Sequence, residues 1–77
     1  MYKLIVKDNC PVCEGSVDKL TKLGLIDKVE VLHISSPEGL ALAKEYKLKM
    51  AGSDIIDTTA QVKMTIEDFI ASQQQHR

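Results

Sequence analysis

Both prolines of this 77-residue chain, Pro11 and Pro37, stand just behind an apolar, strand-like run and just ahead of residues with helical spacing. Proline suits the first turn of a helix because the N–H it lacks would have no partner there. Ahead of Pro11, Tyr2, Leu4 and Val6 alternate with Lys3, Ile5 and Lys7, apolar enough on both sides for a largely covered strand. Behind it, Val17, Leu20 and Leu23 keep helical spacing from Cys13, Lys19 and Lys22 face water, and Gly24 supplies a C-terminal cap. The pattern repeats in KVEVLHIS, residues 28–35, a second strand. Ser36 then caps a helix with Pro37 in its first turn and Glu38 near its positive end; Leu40, Leu42, Ala43, Tyr46 and Lys47 carry it to about Leu48. Two such units so close together imply parallel strands joined by a crossover helix.

The remainder changes character. SDIID and QVKM read as two short strands around Thr58, Thr59 and Ala60, the spacing of an antiparallel hairpin with weak turn chemistry. Thr65 with Asp68 resembles a capping box, and Ile66, Phe69 and Ile70 form the apolar face of a last helix, with residues 72–77 as a frayed tail. The chain is therefore expected to be a single α/β domain, 1–77, with element order β-α-β-α-β-β-α: a four-stranded mixed sheet flanked by three helices. A composition 44% hydrophobic and 27% charged is that of a globular protein. The formal net charge of -1 gives no long-range pull toward nucleic acid or anionic lipid. No run has membrane-spanning length and the start lacks a secretory signal, so a cytoplasmic protein is expected.

Chemistry concentrates in CPVC, residues 10–13. Cysteines three positions apart close too small a loop to staple distant elements. A zinc site would need two more ligands, and His33 and His76 have no ligand spacing, so no metal is expected in a monomer. What remains is a working dithiol. Cys10, at the junction of strand and helix, points its sulfur at the free N–H groups of the first turn, where negative charge is stabilised. Cys13, one turn on and partly covered, can reach the same sulfur. Cys10 is accordingly the attacking thiolate and Cys13 the resolving thiol. Lys7 could add positive charge near the thiolate or hold a substrate carboxylate, whereas Asp8 and Glu14 bracket the motif with negative charge. His33 reads as an edge-strand residue with a hydrogen-bond partner, Asp54 as a strand-end carboxylate or a proton acceptor for Cys13, and Tyr46, Phe69, Met50 and Met64 as packing.

IVKDNCPVC at the end of a first strand, followed by helix, strand and helix, resembles the small redoxins of the thioredoxin-like superfamily, glutaredoxins in particular, over nearly the whole chain. The resemblance implies a thioredoxin/glutaredoxin-like fold and a thiol–disulfide oxidoreductase acting on protein or low-molecular-weight disulfides. A thiol such as glutathione, or a flavoprotein, would serve as reductant, with no cofactor beyond the Cys10–Cys13 disulfide. It also places Lys7 where glutaredoxins hold the glycyl carboxylate of glutathione, and Pro11, Val12, Gly52 and Ser53 around the substrate. The chain departs from the family twice. No proline precedes the third strand, so Gly52 or Ser53 takes the position of the usual cis-proline and a trans bond is expected, a non-proline cis bond costing roughly 3 kcal/mol. No glycine pair precedes the last helix either. Alternatives are a redox-inactive or redox-sensing binding module on the same fold, or a dimer holding an iron–sulfur cluster between two CPVC pairs.

Overall fold

Leu4 and Ile5 are adjacent in one strand, so their side chains leave opposite faces, yet neither is exposed. The sheet must be covered on both sides. In the structure of the protein, a computed structural model that describes residues 1–74, it is. The elements are β1 (Tyr2–Val6), α1 (Pro11–Lys22), a 3-10 turn (Ile26–Lys28), β2 (Val29–His33), α2 (Pro37–Glu45), β3 (Asp54–Asp57), β4 (Val62–Thr65) and α3 (Ile66–Gln74). They form one mixed sheet in the order β2-β1-β3-β4, β1 pairing parallel with β2 and antiparallel with β3, and β3 antiparallel with β4. This is the expected order, sheet and helix number.

On one face Leu4, Val29 and Ile55 meet Leu20 of α1 and Ile66 and Phe69 of α3, with Tyr2 set edge-on to Phe69 at a centroid distance of 4.9 Å. The opposite face carries buried Ile5 and Ile56 and also buried Lys3, two residues before Ile5 and the register partner of Ile56. Lys3 Nζ donates to Glu30, its register partner on β2, and to Glu38 in the first turn of α2 at 3.1 Å. A polar clamp thus holds α2 against the sheet. Gly39 completes that contact: a Cβ there would overlap the carbonyl of His33, so only glycine lets α2 come this close.

Helix ends follow from capping. Ser36 Oγ accepts the Gly39 N–H at 3.0 Å, and Thr65 Oγ1 accepts that of Asp68 at 3.0 Å. After α1, Gly24 (φ 73°) is left-handed and Leu25 N–H returns to Leu20 O at 2.8 Å, the cap its position suggests. After α2 the same geometry falls on Lys47 (φ 54°), with Leu48 N–H bonded to Ala43 O at 3.0 Å. The helix therefore stops at Glu45 and not near Leu48. The hairpin obtains its turn chemistry from Asp57, whose Oδ1 accepts the N–H groups of Thr59 and Ala60, and from Gln61 in a left-handed conformation (φ 60°).

Three other expectations are corrected. Leu40 and Leu23 lie on the open sides of their helices, and Met50 is 53% exposed in the segment before β3, outside any packed stripe. Ser72, Gln73 and Gln74, expected in the tail, continue α3, while residues 75–77 lie outside the described ones. No helix among the described residues is long and apolar enough to cross a membrane.

Hydrogen bonding to Glu30, then to Glu38, raises the Lys3 pKa above 10.5 against the opposing effect of desolvation. A raised folded-state value means that the stabilisation is complete below the unfolded value and is lost as pH climbs from 10.5 through the higher folded one. Thermal midpoints recorded across that window should therefore fall more steeply for the wild type than for Lys3→Met. Separately, Lys47→Gly should relieve left-handed strain of about 1 kcal/mol. Its thermal midpoint should rise by about 4–8 °C in a scan at neutral pH.

Candidate functional site

The end of β1 sets the position of the two sulfurs. Val6 closes the strand, Asn9 takes a left-handed turn (φ 53°) that asparagine tolerates, and Cys10 arrives extended (φ -119°, ψ 98°) as the N-cap of α1. Its sulfur does the work usually done by a serine or aspartate oxygen, accepting the Cys13 N–H at 3.1 Å. Pro11 follows in the first turn, where its missing N–H has no consequence. One turn on, Cys13 faces back, and the two are joined as a disulfide with Cα atoms 5.2 Å apart.

Both cysteines are only 4% exposed and form a small apolar cluster with Ala51, packed by Val6. Cys13, expected to be partly covered, is thus buried, and so is Cys10, the expected attacking sulfur. The cover is the segment before β3. Ala51 O lies 3.7 Å from Cys10 Sγ, and Gly52 is pressed against Cys13. A Cβ on Gly52 would stand 2.6 Å from Cys13 Cα and 2.7 Å from its sulfur, and the residue is left-handed (φ 81°). Glycine is required here on both counts. Every peptide bond in the described residues is trans, the bond before Gly52 included. Gly52 N–H donates to Ile5 O at 2.8 Å, and Gly52 O accepts from Ser16 Oγ at 2.5 Å. Both of its polar backbone groups are thereby committed within the protein.

The electrostatics at Cys10 are mixed. With the bond reduced, the Cys13 N–H and the first-turn dipole favour a thiolate, while the Ala51 carbonyl favours a thiol that donates to it. Among the described residues no N–H or O–H donates to Cys13 Sγ, and Gly52 presents it with backbone only.

The other expected site residues divide between two grooves flanking the first turn of α1. Lys7, exposed and in no ion pair among the described residues, shares a groove of about 430 Å³ with Val6, Cys13 and Val31. Val12 (42% exposed) and Ser53 line one of about 340 Å³ with Ser16 and Ile66. Pro11 is exposed beside them. Asp54 lines a separate hollow with Lys63 and Asp68 and makes no hydrogen bond to either cysteine. His33 donates from Nε2 to Asp8 at 3.1 Å and accepts the Ser35 N–H on Nδ1, so it ties the loop after β1 to the end of β2. A further groove, about 630 Å³ between α1 and α3, lies along Leu23 and Ile70, away from the cysteines. Among the described residues, no three His, Cys, Asp or Glu side chains gather as a metal-binding group.

Ser16 and Ala51 were missed by the sequence reading. Ser16 had a signal, since it lies three residues beyond Cys13 and hence on the same helix face. Ala51 had none, because its contribution is a backbone carbonyl. The clash at Gly52 implies that Gly52→Ala destabilises the oxidised protein by about 2–4 kcal/mol, combining overpacking with a left-handed penalty. Chemical denaturation under non-reducing conditions measures this directly, and a loss below about 0.5 kcal/mol would contradict the contact.

No family model, no curated protein and no solved structure matches this chain.

Proposed function

We propose that the chain is a thioredoxin-like, glutaredoxin-like thiol–disulfide oxidoreductase whose working group is the Cys10–Cys13 pair. The observation that carries this reading is the disulfide at the N-cap of α1, with the Cys13 N–H on Cys10 Sγ at 3.1 Å. A sulfur held in that position is stabilised when it bears negative charge, and its partner is already within bonding reach. In the reduced protein, Cys10 thiolate attacks one sulfur of a substrate disulfide, and the other substrate sulfur leaves as a thiolate that takes a proton from solvent. Cys13 loses its proton and attacks Cys10 Sγ. The Cys10–substrate bond breaks, and the second substrate sulfur departs. Two electrons pass to the substrate and one protein disulfide forms. A thiol or a reduced flavoprotein returns the electrons, and the chain acts as a cytoplasmic monomer.

The substrate class follows from what surrounds the pair. Pro11, Val12 and Ser53 form the surface a protein disulfide would meet, with Lys7 on the far side of the first turn. Gly52 backs Cys13 and needs no contact with substrate. The burial of both sulfurs favours one second reading, a redox-sensing module that binds a partner according to the state of the pair without turning over.

Reduction of a protein disulfide by dithiothreitol, followed with and without the chain, separates the two. Catalysis should fall to the rate of dithiothreitol alone in Cys10→Ser, and Cys13→Ser should accumulate mixed disulfides visible by mass. Partner capture by wild type that depends on redox state, without any acceleration, would select the sensing module instead.

A further inference from the structure

Resting on the reading of the pair as a working dithiol, we propose that residues 49–52, ahead of β3, form a strap that lifts before the pair can exchange, and that the Ser16 hydroxyl is its latch. Exchange needs a thiolate in contact with a sulfur, so its rate depends on access. At 4% exposure neither Cys10 nor Cys13 offers that contact while the strap is down. Ser16 acts through Gly52 and is a positioning residue, not a catalytic one.

Of the two walls that cover the sulfurs, the strap is the one able to leave. The first turn of α1 is fixed: Glu14 N–H returns to Cys10 O at 3.0 Å, and Leu20, further along the helix, is fully buried in the core with Phe69. In the strap Lys49 is exposed, Met50 is 53% exposed, and only Ala51 and Gly52 are buried. Lifting it takes a single methyl group of its own out of apolar contact, a small loss of buried area. Gly52 at its end has no Cβ to hinder a change of φ and ψ, which suits it as the pivot.

Among the described residues one hydrogen bond joins the strap to α1, from Ser16 Oγ to Gly52 O at 2.5 Å. In the oxidised protein the Cys10 sulfur has no proton to give to Ala51 O, 3.7 Å away, so that approach is contact alone. The other tie runs to β1, where Gly52 N–H donates to Ile5 O at 2.8 Å. That N–H and the Ala51 carbonyl belong to one planar trans peptide group, so bonding the first to β1 aims the second away from it, toward Cys10. Ser16 therefore governs how firmly Gly52 rests on Cys13, and through the shared backbone how firmly Ala51 rests on Cys10.

The test follows the opening of the oxidised full chain by excess dithiothreitol, with samples quenched by an alkylating agent and read by mass. It compares wild type, Ser16→Ala and Ser16→Thr, each without urea and at urea concentrations below the unfolding transition. Dithiothreitol closes to its own cyclic disulfide, and Cys10 and Cys13 take up the two electrons and end as thiols. Ser16→Ala should open about fivefold faster, the effect of one lost hydrogen bond, while Ser16→Thr, which keeps the hydroxyl, should stay within about twofold of wild type. Lifting so short a segment exposes little surface, so the rates should be nearly flat in urea, whereas reduction through global unfolding climbs as steeply as the unfolding equilibrium. An unchanged rate in Ser16→Ala, an acceleration that Ser16→Thr shares, or one that rises with urea as unfolding does, overturns the latch and leaves the working dithiol standing. A wild-type disulfide that opens only when the whole chain unfolds overturns both.

Discussion

Strand β1 is the constraint on which the other elements depend. Leu4 is paired on one side with Val31 and on the other with Ile55, so β1 has no free edge, and its two faces carry the two buried layers. Its last carbonyls then reach beyond the sheet. Ile5 O takes the Gly52 N–H at 2.8 Å and Val6 O takes that of Ile34 at 2.8 Å, which brings the segment before β3 and the exit of β2 to the same end of the sheet. The chain leaving β1 enters α1 at that same end. Cys10, Cys13, Ala51 and Gly52 meet there because one strand directs all the segments that carry them.

That meeting sets the chemical character of the pair. An exposed N-cap sulfur would face only the dipole and N–H groups of its helix. Here the Ala51 carbonyl opposes them, and the Gly52 backbone packs so closely on Cys13 that no Cβ would fit between them. The two sulfurs are consequently unequal: one has a hydrogen-bond donor and a carbonyl beside it, the other the close-packed backbone of Gly52 and no donor among the described residues.

The sheet's other face shows a different use of polar groups. Lys3 is almost covered and yet charged, because Glu30 and Glu38 converge on it from β2 and α2. A helix that buries little apolar area is thereby anchored by charge and by the close approach at Gly39, which accounts for Leu40 being left 44% exposed without loss of the α2–sheet contact.

Much of this was legible in the residues. Pro11 and Pro37 announced two helix starts, Gly24, Ser36 and Thr65 announced caps, and the spacing of Cys10 and Cys13 announced a pair that could close, because these depend on local sterics and hydrogen bonding within a few residues. Leu40 and Met50 were misread as packing for the opposite reason: helical periodicity identifies an apolar stripe but not whether another element lies over it. The sequence by itself determined the order of elements and the location of the thiols at a helix start. Only the tertiary structure decided that those thiols are covered, that Gly52 must be glycine, and that Cys13 faces a groove. The cover on the thiols and the demand for glycine are contacts between segments some 40 residues apart, held by backbone atoms that every residue type shares, and the groove beside Cys13 is walled by Val31 of β2.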